Sequence, residues 1–371
     1  MSTQRRCRWL AFLGLGMFVA ASQIACAPAD RSGTPPGGSD GGVAQAPADA
    51  PGDDEAAASD ELPKVPLGLP EVPIPDDNPM TPAKVELGKM LYFDTRLSGD
   101  DTISCATCHD PKMAWAEDTP TSTGIHGHVG PVNSPTVINT AYATRLFWDG
   151  RSDSLEDQAL GPMENPIEMG AKLEDVVKKL AEIPEYVERF KDVFDSEITP
   201  LGIAKALAAF ERTVLSGNSP YDRFVEGDET ALSDAQKRGW EAFQKANCDS
   251  CHKPPLFSNF TFVNAGVGMD NDPPDEGRKA VTGEDRDLGR YRVPPLREVA
   301  NTAPYFHDGK TATLEEAVAM MAAGGIDNPG LSEMMRSVRD ANLSDDDVQD
   351  IVEFLQALSG EYPIIDAPEL P

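Results

Sequence analysis

Two pentapeptides constrain this chain more than any other feature: Cys105-Ala106-Thr107-Cys108-His109 and Cys248-Asp249-Ser250-Cys251-His252. Both read C-x-x-C-H, the spacing at which haem is attached covalently as haem c. The two thiols add to the two vinyl groups of one porphyrin, so they must lie one turn apart. The histidine that follows is then placed beneath the ring to ligate iron. Structural zinc is the alternative chemistry. It takes four ligands per site, whereas each motif supplies three and the chain holds five histidines in all. Two such motifs in a chain of six cysteines predict two covalently bound haems c.

At 371 residues the chain is long enough for two domains with cores of their own. Its 62 acidic and 32 basic residues give a formal net charge of −30. That balance excludes nucleic acid as a partner, because phosphate neutralisation needs a basic surface. It is compatible with a basic partner protein.

Residues 1–26 read as a targeting segment. Arg5, Arg6 and Arg8 form a positive start, and the apolar run from Leu10 to Ala21 is too short to span a bilayer. Cys7 lies inside the removable part and four cysteines belong to the haem motifs, which leaves Cys26 without a partner. A single cysteine after such a run, preceded by Ala25, reads as a bacterial lipidation site, although Gln23 stands where a lipobox usually has leucine. Export to the periplasm, with attachment to a membrane through Cys26, is the expectation. Residues 27–62 are rich in Ala, Pro, Gly, Asp and Ser. They carry too little apolar surface to offset the entropy of ordering, so a disordered tether is predicted.

Folded chain is expected from residue 63. Thr81 and Pro82 read as N-cap and first position of a helix through Leu91. Further helices are predicted at 173–184, 186–195 and 201–216, the last with Ile203, Leu207, Phe210 and Val214 on one stripe. Residues 217–232 read as a link. Ser233 starts a helix carrying Trp240 and Phe243 into the second haem motif. Thr313 and Glu316 form a capping box for a helix through Met321, and Ser344 caps a last helix closed by Gly360. Long polar loops occupy 110–135 and 254–291. The fold class predicted is mainly α: two cytochrome c-like haem domains, 63–225 and 226–371, with long loops and little strand.

The segments LGKMLYFDTRLSGDDTISCATCHD, GIHGHVGPVNSPTVINTAYATRLFWDGR, GPMENPIEMG, CDSCH and PPLREVANTAPYFHDGK together resemble the bacterial dihaem cytochrome c peroxidase family, whose relatives include the MauG enzymes. The resemblance covers residues 66–360. It implies a peroxidase that reduces hydrogen peroxide to water at the N-terminal haem, using electrons that a small redox protein (a cytochrome c or a cupredoxin) delivers to the C-terminal haem. It also implies a possible homodimer. The rival expectations are a MauG-like oxidase acting on a protein or an amine, and a plain dihaem electron carrier.

The resemblance also assigns residues. His109 and His252 are the motif ligands of iron. On the helix from Leu314, Met321 shares a stripe with Ala317 and Val318, while Met320 sits about 100° away. Met321 matches the family's second ligand to the C-terminal haem, where a tyrosine would mark the MauG branch. His126 matches the family's distal histidine at the N-terminal haem, with His128 as the alternative. Glu168 matches the catalytic glutamate that moves a proton between the peroxide oxygens, and Glu164 is the residue with which it could be confused. Gln158 and Pro162 match the same pocket, and Trp148 matches an aromatic bridge between the haems. Asn133, with the carbonyls of Thr302 and Pro304, matches an interdomain calcium site, which suits that ion's preference for oxygen ligands. His307 is given no ligand role.

Overall fold

The computed structural model describes residues 61–371. The expected targeting segment, Cys26 and the tether as far as residue 60 lie outside these residues.

Helix starts follow local side-chain chemistry. Thr81 Oγ1 accepts from the Lys84 amide at 3.3 Å, with Pro82 at the first position of α1 (Pro82–Phe93). Reciprocal capping boxes open α8 (Asp234–Lys245; Ser233 with Gln236), α10 (Leu314–Ala322; Thr313 with Glu316) and α12 (Asp345–Gln356; Ser344 with Asp347). Between them in the chain lie α2 (Cys105–Cys108), α3 (Leu155–Glu164), α4 (Leu173–Ala181), α5 (Pro184–Phe194), α6 (Pro200–Glu211), α7 (Pro220–Val225), α9 (Lys279–Thr282) and α11 (Glu333–Asp340). The described strands are β1 (Phe262–Val263) and β2 (Tyr291–Arg292), paired antiparallel with Phe262 opposite Arg292. The fold is mainly α with two cytochrome c-like domains.

Each domain is built on one close crossing of two helices far apart in its sequence. α1 meets α6 at Gly88, where a Cβ would lie 2.0 Å from the Ala206 carbonyl oxygen. α8 meets α12 at Gly239, where a Cβ would lie 1.9 Å from the carbonyl oxygen of Asp350. Only glycine lets either pair approach so closely. Around the first crossing Leu87, Leu91, Tyr92, Leu207 and Phe210 are buried, and around the second Phe243, Ile351, Phe354 and Leu355. Each such side chain contributes roughly 1.5–3 kcal/mol by leaving water.

Two exchanges cross between the halves. Tyr221 of α7 packs with Trp240, Phe257 and Phe354 of the second core. In the other direction Tyr362, Ile365 and Leu370 pack on the first core. There the Trp115 indole donates to the Pro363 carbonyl at 2.8 Å, Arg96 Nη1 donates to Pro371 O at 2.8 Å, and Lys112 pairs with Asp366 at 2.7 Å.

Several elements differ from expectation. α6 stops at Glu211 rather than 216 because tertiary bonds take over the backbone: Asn139 exchanges bonds with Ser216, and its amide donates to the Val214 carbonyl. Residues 217–232 are no mere link, since they contain α7 with its own Ser219–Asp222 capping box. α3 and α11 arise where no helix was predicted. The last helix ends at Gln356, and Gly360 instead donates its amide to Glu298 Oε1 at 2.6 Å.

Candidate haem centres and active site

Both motifs fold into one tight turn. In each, the histidine amide returns to the first cysteine's carbonyl: His109 N to Cys105 O at 3.0 Å, and His252 N to Cys248 O at 2.8 Å. This brings the two thiols to one side, with the imidazole following them. The four cysteines are free thiols, as thioether attachment requires. Burial pushes Cys108 up to about 11 and Cys248 up to about 12, and raises Cys105 and Cys251 as well. These are neutral thiols in apolar surroundings rather than reactive thiolates.

Burial pulls both imidazoles down to about 4, so each is neutral, the ligating form, at ordinary pH. His252 Nδ1 lies 2.9 Å from the Phe257 carbonyl, which leaves Nε2 for iron. His109 Nδ1 is buried with no bond of good geometry, although the backbones of Pro135 and Trp115 approach the ring and oppose the shift. Tyr92 donates to the His109 carbonyl at 3.0 Å and fixes the turn from below.

The residues present fit a haem at the second motif. A cavity of ≈270 Å³ is lined by Cys248, Cys251, His252 and Met321, with Val263 and Pro294 among its apolar walls. Met320 does not line it; Met334 and Met335 do, and Met334 Sδ lies 3.6 Å from Cys251 Sγ. The sequence reading passed over these two methionines, although Met335 and Val338, three residues apart, mark the buried face of α11. Tyr291 and Tyr305 also line the cavity, but the Tyr291 ring is stacked on His307 at 3.6 Å, and the Tyr305 hydroxyl donates to Val299 O at 3.0 Å.

The cavity extends to the residues between the domains. Trp148 lines it, donates from Nε1 to the Asn133 carbonyl at 2.8 Å and presents an edge to His307. His307 is 4% exposed and bonded to Asp275 at 3.0 Å. Asn133, Thr302 and Pro304 share the same lining. The Asn133 amide donates to His307 O at 2.8 Å, and its Nδ2 donates to Thr119 O at 3.1 Å, which turns Oδ1 the other way.

Around the first motif, Glu168 follows α3 and is half-buried. Desolvation raises its pKa, opposed by Arg151 and by the bond from Asn165 Nδ2 at 2.7 Å. The charges of Glu117 and Glu168 reach Cys108, and Ser122 approaches the same thiol. Glu164 is exposed, while Gln158 and Pro162 are partly buried on α3. The loop carrying the two histidines docks on Glu168: Ile125 N donates to Glu168 O at 2.8 Å, and a Cβ on Gly124 would lie 2.5 Å from that oxygen. His126 has φ +55°, is 65% exposed and pairs with Asp100 at 3.3 Å; His128 is also exposed. Neither imidazole is buried against the first motif in this structure.

Residues 82–230 match the di-haem cytochrome c peroxidase family and residues 236–359 the cytochrome c family. The cytochrome c551 peroxidase of Nitrosomonas europaea is 39% identical, with 81% of this chain and 86% of that protein covered. The chain belongs to the di-haem cytochrome c peroxidase family. Two haems c are accordingly its cofactors. Within this family, cytochrome c peroxidase Ccp of Escherichia coli strain K12 is 40% identical over 79% of this chain, and the match spans 62% of that longer protein. Methylamine utilization protein MauG of Methylorubrum extorquens is 38% identical, covering 89% of this chain and 92% of its own. Among solved structures, a MauG-like protein associated with microbial copper homeostasis superposes with a TM-score of 0.70 at 31% identity, covering 82% of this chain and 96% of that one.

Proposed function

We propose that this chain reduces hydrogen peroxide to water with electrons from a small redox protein. The reading is supported by relatives named cytochrome c peroxidases at 39–40% identity. The observation that carries it is Glu168, a half-buried carboxyl with a raised pKa beside the first motif. When bound, the haems would relay the donor's two electrons and supply the iron at which peroxide is reduced. Glu168 takes a proton from one peroxide oxygen and returns it to the other, and its raised pKa suits that exchange. Gln158 and Pro162 shape the same pocket. His109 holds the first haem, His252 and Met321 hold the second, and Trp148 fills the space between the two centres.

His126 is the gate in this reading. Paired with Asp100, it leaves the first centre open; turned inward, it closes it. The loop must therefore have two positions whose balance the redox state shifts. Asn133 Oδ1 and the carbonyls of Thr302 and Pro304 would hold a calcium ion, whose preference for oxygen ligands they suit. The protein works in the periplasm, held to a membrane through lipidated Cys26, and its division falls at residues 225/226. MauG-like oxidation is the second reading, favoured by the 38% identity to MauG. Met321 in the cavity, with both lining tyrosines engaged elsewhere, weighs against it.

The test is peroxide-dependent oxidation of a reduced cytochrome c by the purified holoprotein. Turnover is expected to need pre-reduction in the parent but not in His126→Gly, and to fall after calcium chelation. No peroxide-dependent oxidation would overturn the peroxidase reading. Relief of the pre-reduction requirement by His128→Gly alone would transfer the gate to His128.

A further inference from the structure

Three arginines are almost wholly buried: Arg212 at 4%, Arg292 at 5% and Arg297 at 1% exposure. A guanidinium stays charged at any ordinary pH, and burying it without an anion costs several kcal/mol. Two of the three carry their own anion. Arg297 grips Asp222 with both Nη atoms at 2.8 and 2.7 Å, and Arg212 grips Glu156 at 2.8 and 3.1 Å.

Arg292 has none. Its Nε donates to the Phe147 carbonyl at 3.3 Å, and its guanidinium lies 5.9 Å from the Phe260 ring. No carboxylate among the described residues pairs with it. Burial alone pulls its pKa down to about 10, with no neighbouring charge opposing. The residue lines the cavity that holds Cys248, Cys251 and His252. No aspartate, glutamate or lysine is found on that lining, so Arg292 is its one permanent cation among the described residues.

The backbone is pinned on both sides. The Arg292 amide donates to the Trp148 carbonyl at 2.8 Å, and Ser258 Oγ donates to the next carbonyl, Val293 O, at 2.7 Å. Pro294, two residues on, brings its backbone to the His252 ring. The strand therefore runs from the interdomain tryptophan to the proximal imidazole with Arg292 between them. A haem carries two carboxylates of its own, its propionates, and a guanidinium fork matches a carboxylate.

We propose that Arg292 is the anion-binding residue of the second centre and pairs with a propionate of the haem attached at Cys248 and Cys251. This rests on the second motif holding a haem. It adds a function to the residue, since a cation beside the propionate cancels a negative charge near the iron. Losing it favours the ferric state and lowers the reduction potential.

The test uses the mature holoprotein with Arg292→Gln and Arg292→Lys. Mass spectrometry counts the haems, and a redox titration followed by absorbance gives both midpoints. Arg292→Gln should keep two haems, shift the midpoint of the His252 centre downward and leave the other unchanged; Arg292→Lys should restore most of the shift. A parent-like midpoint in Arg292→Gln would show that the arginine only caps Phe147. If Arg292→Gln fails to mature, resonance Raman of parent and Arg292→Lys decides: the propionate bending band should move, and an unchanged band overturns the pairing. Failure of the haem reading itself is separate, and would show as two haems retained when Cys248 and Cys251 are both changed to Ala.

Discussion

Glu168 and Glu164 are one helical turn apart in sequence, and only their surroundings separate them. Glu164 sits exposed at the end of α3, while Glu168 lies beyond it, half-buried and held by Asn165. Desolvation is the largest influence on Glu168 and raises its pKa. Its proton is therefore retained to higher pH than an ordinary glutamate's, and the ionised base is lost as pH falls through the raised value. Peroxidase activity should decline on acidification at a pH above the usual carboxylate range. Glu168→Gln should lower kcat by about 10²–10⁴-fold with both haems retained, and should abolish that acid limb. Steady-state rates against pH in parent and variant check this; an unchanged acid limb would assign it to another group.

The ten motif positions were legible in the sequence because haem attachment fixes residue type and spacing together. The place of Met321 on one stripe of α10 and the motif around Glu168 could also be read, but the role proposed for each rests on the family resemblance and not on periodicity. Arg292 was not legible, because nothing in the string YRVPPL says that its charge lacks a partner. That fact appears only once the surrounding elements, none of them adjacent in sequence, have closed around it.

At the scale of elements, α6 shows what periodicity reveals and what it hides. Ile203, Leu207 and Phe210 mark its buried face correctly. Glu211, next along, is 7% exposed, and burial raises its pKa to about 8. Arg212 opposes that shift only in part, because its fork is committed to Glu156. A carboxyl raised in the folded state favours folding while protonated. Its contribution is full below the ordinary glutamate pKa and is lost as pH rises towards about 8. Thermal stability should therefore fall across that window, and Glu211→Gln should flatten the fall. Melting temperatures of the two proteins from pH 4.5 to 8.5 test it, and parallel curves would mean that Glu211 is ionised throughout.

Helix ends were the weaker part of the sequence reading for a related reason. The stop at Glu211 is set by Asn139, more than seventy residues away, and the place of Gly360 by Glu298. A capping signal is local and could be read. A tertiary hydrogen bond that takes over a carbonyl leaves no mark in the sequence around it.

For the whole molecule, the Arg297–Asp222 pair joins distant stretches of chain. Arg297 also donates to Pro255 O at 2.8 Å and to Gly68 O at 3.2 Å, so the entry segment, α7 and the loop after the second motif meet at one guanidinium. Arg297→Ala leaves Asp222 buried and unpaired, and should destabilise the fold by about 3–5 kcal/mol. Urea unfolding measures this, and a loss below about 1 kcal/mol would place the pair among ordinary surface bridges. The proposed anchor is tested at the same scale. Cys26→Ser should move the protein from the membrane fraction to the soluble periplasmic fraction, and identical partition of variant and parent would rule out lipidation.

The segment from Tyr362 to Pro371 has a further consequence, in the order of events during synthesis. The helices of the first domain are made early, yet Trp115, Arg96 and Lys112 wait for Pro363, Pro371 and Asp366, which follow the last helix of the second domain. At ~5–20 residues per second, roughly 7–30 s separate Val214 from Tyr362. Through that interval the first haem motif belongs to a domain whose core is still open on one side. The domain begun first is thus completed last, after the second motif has also emerged.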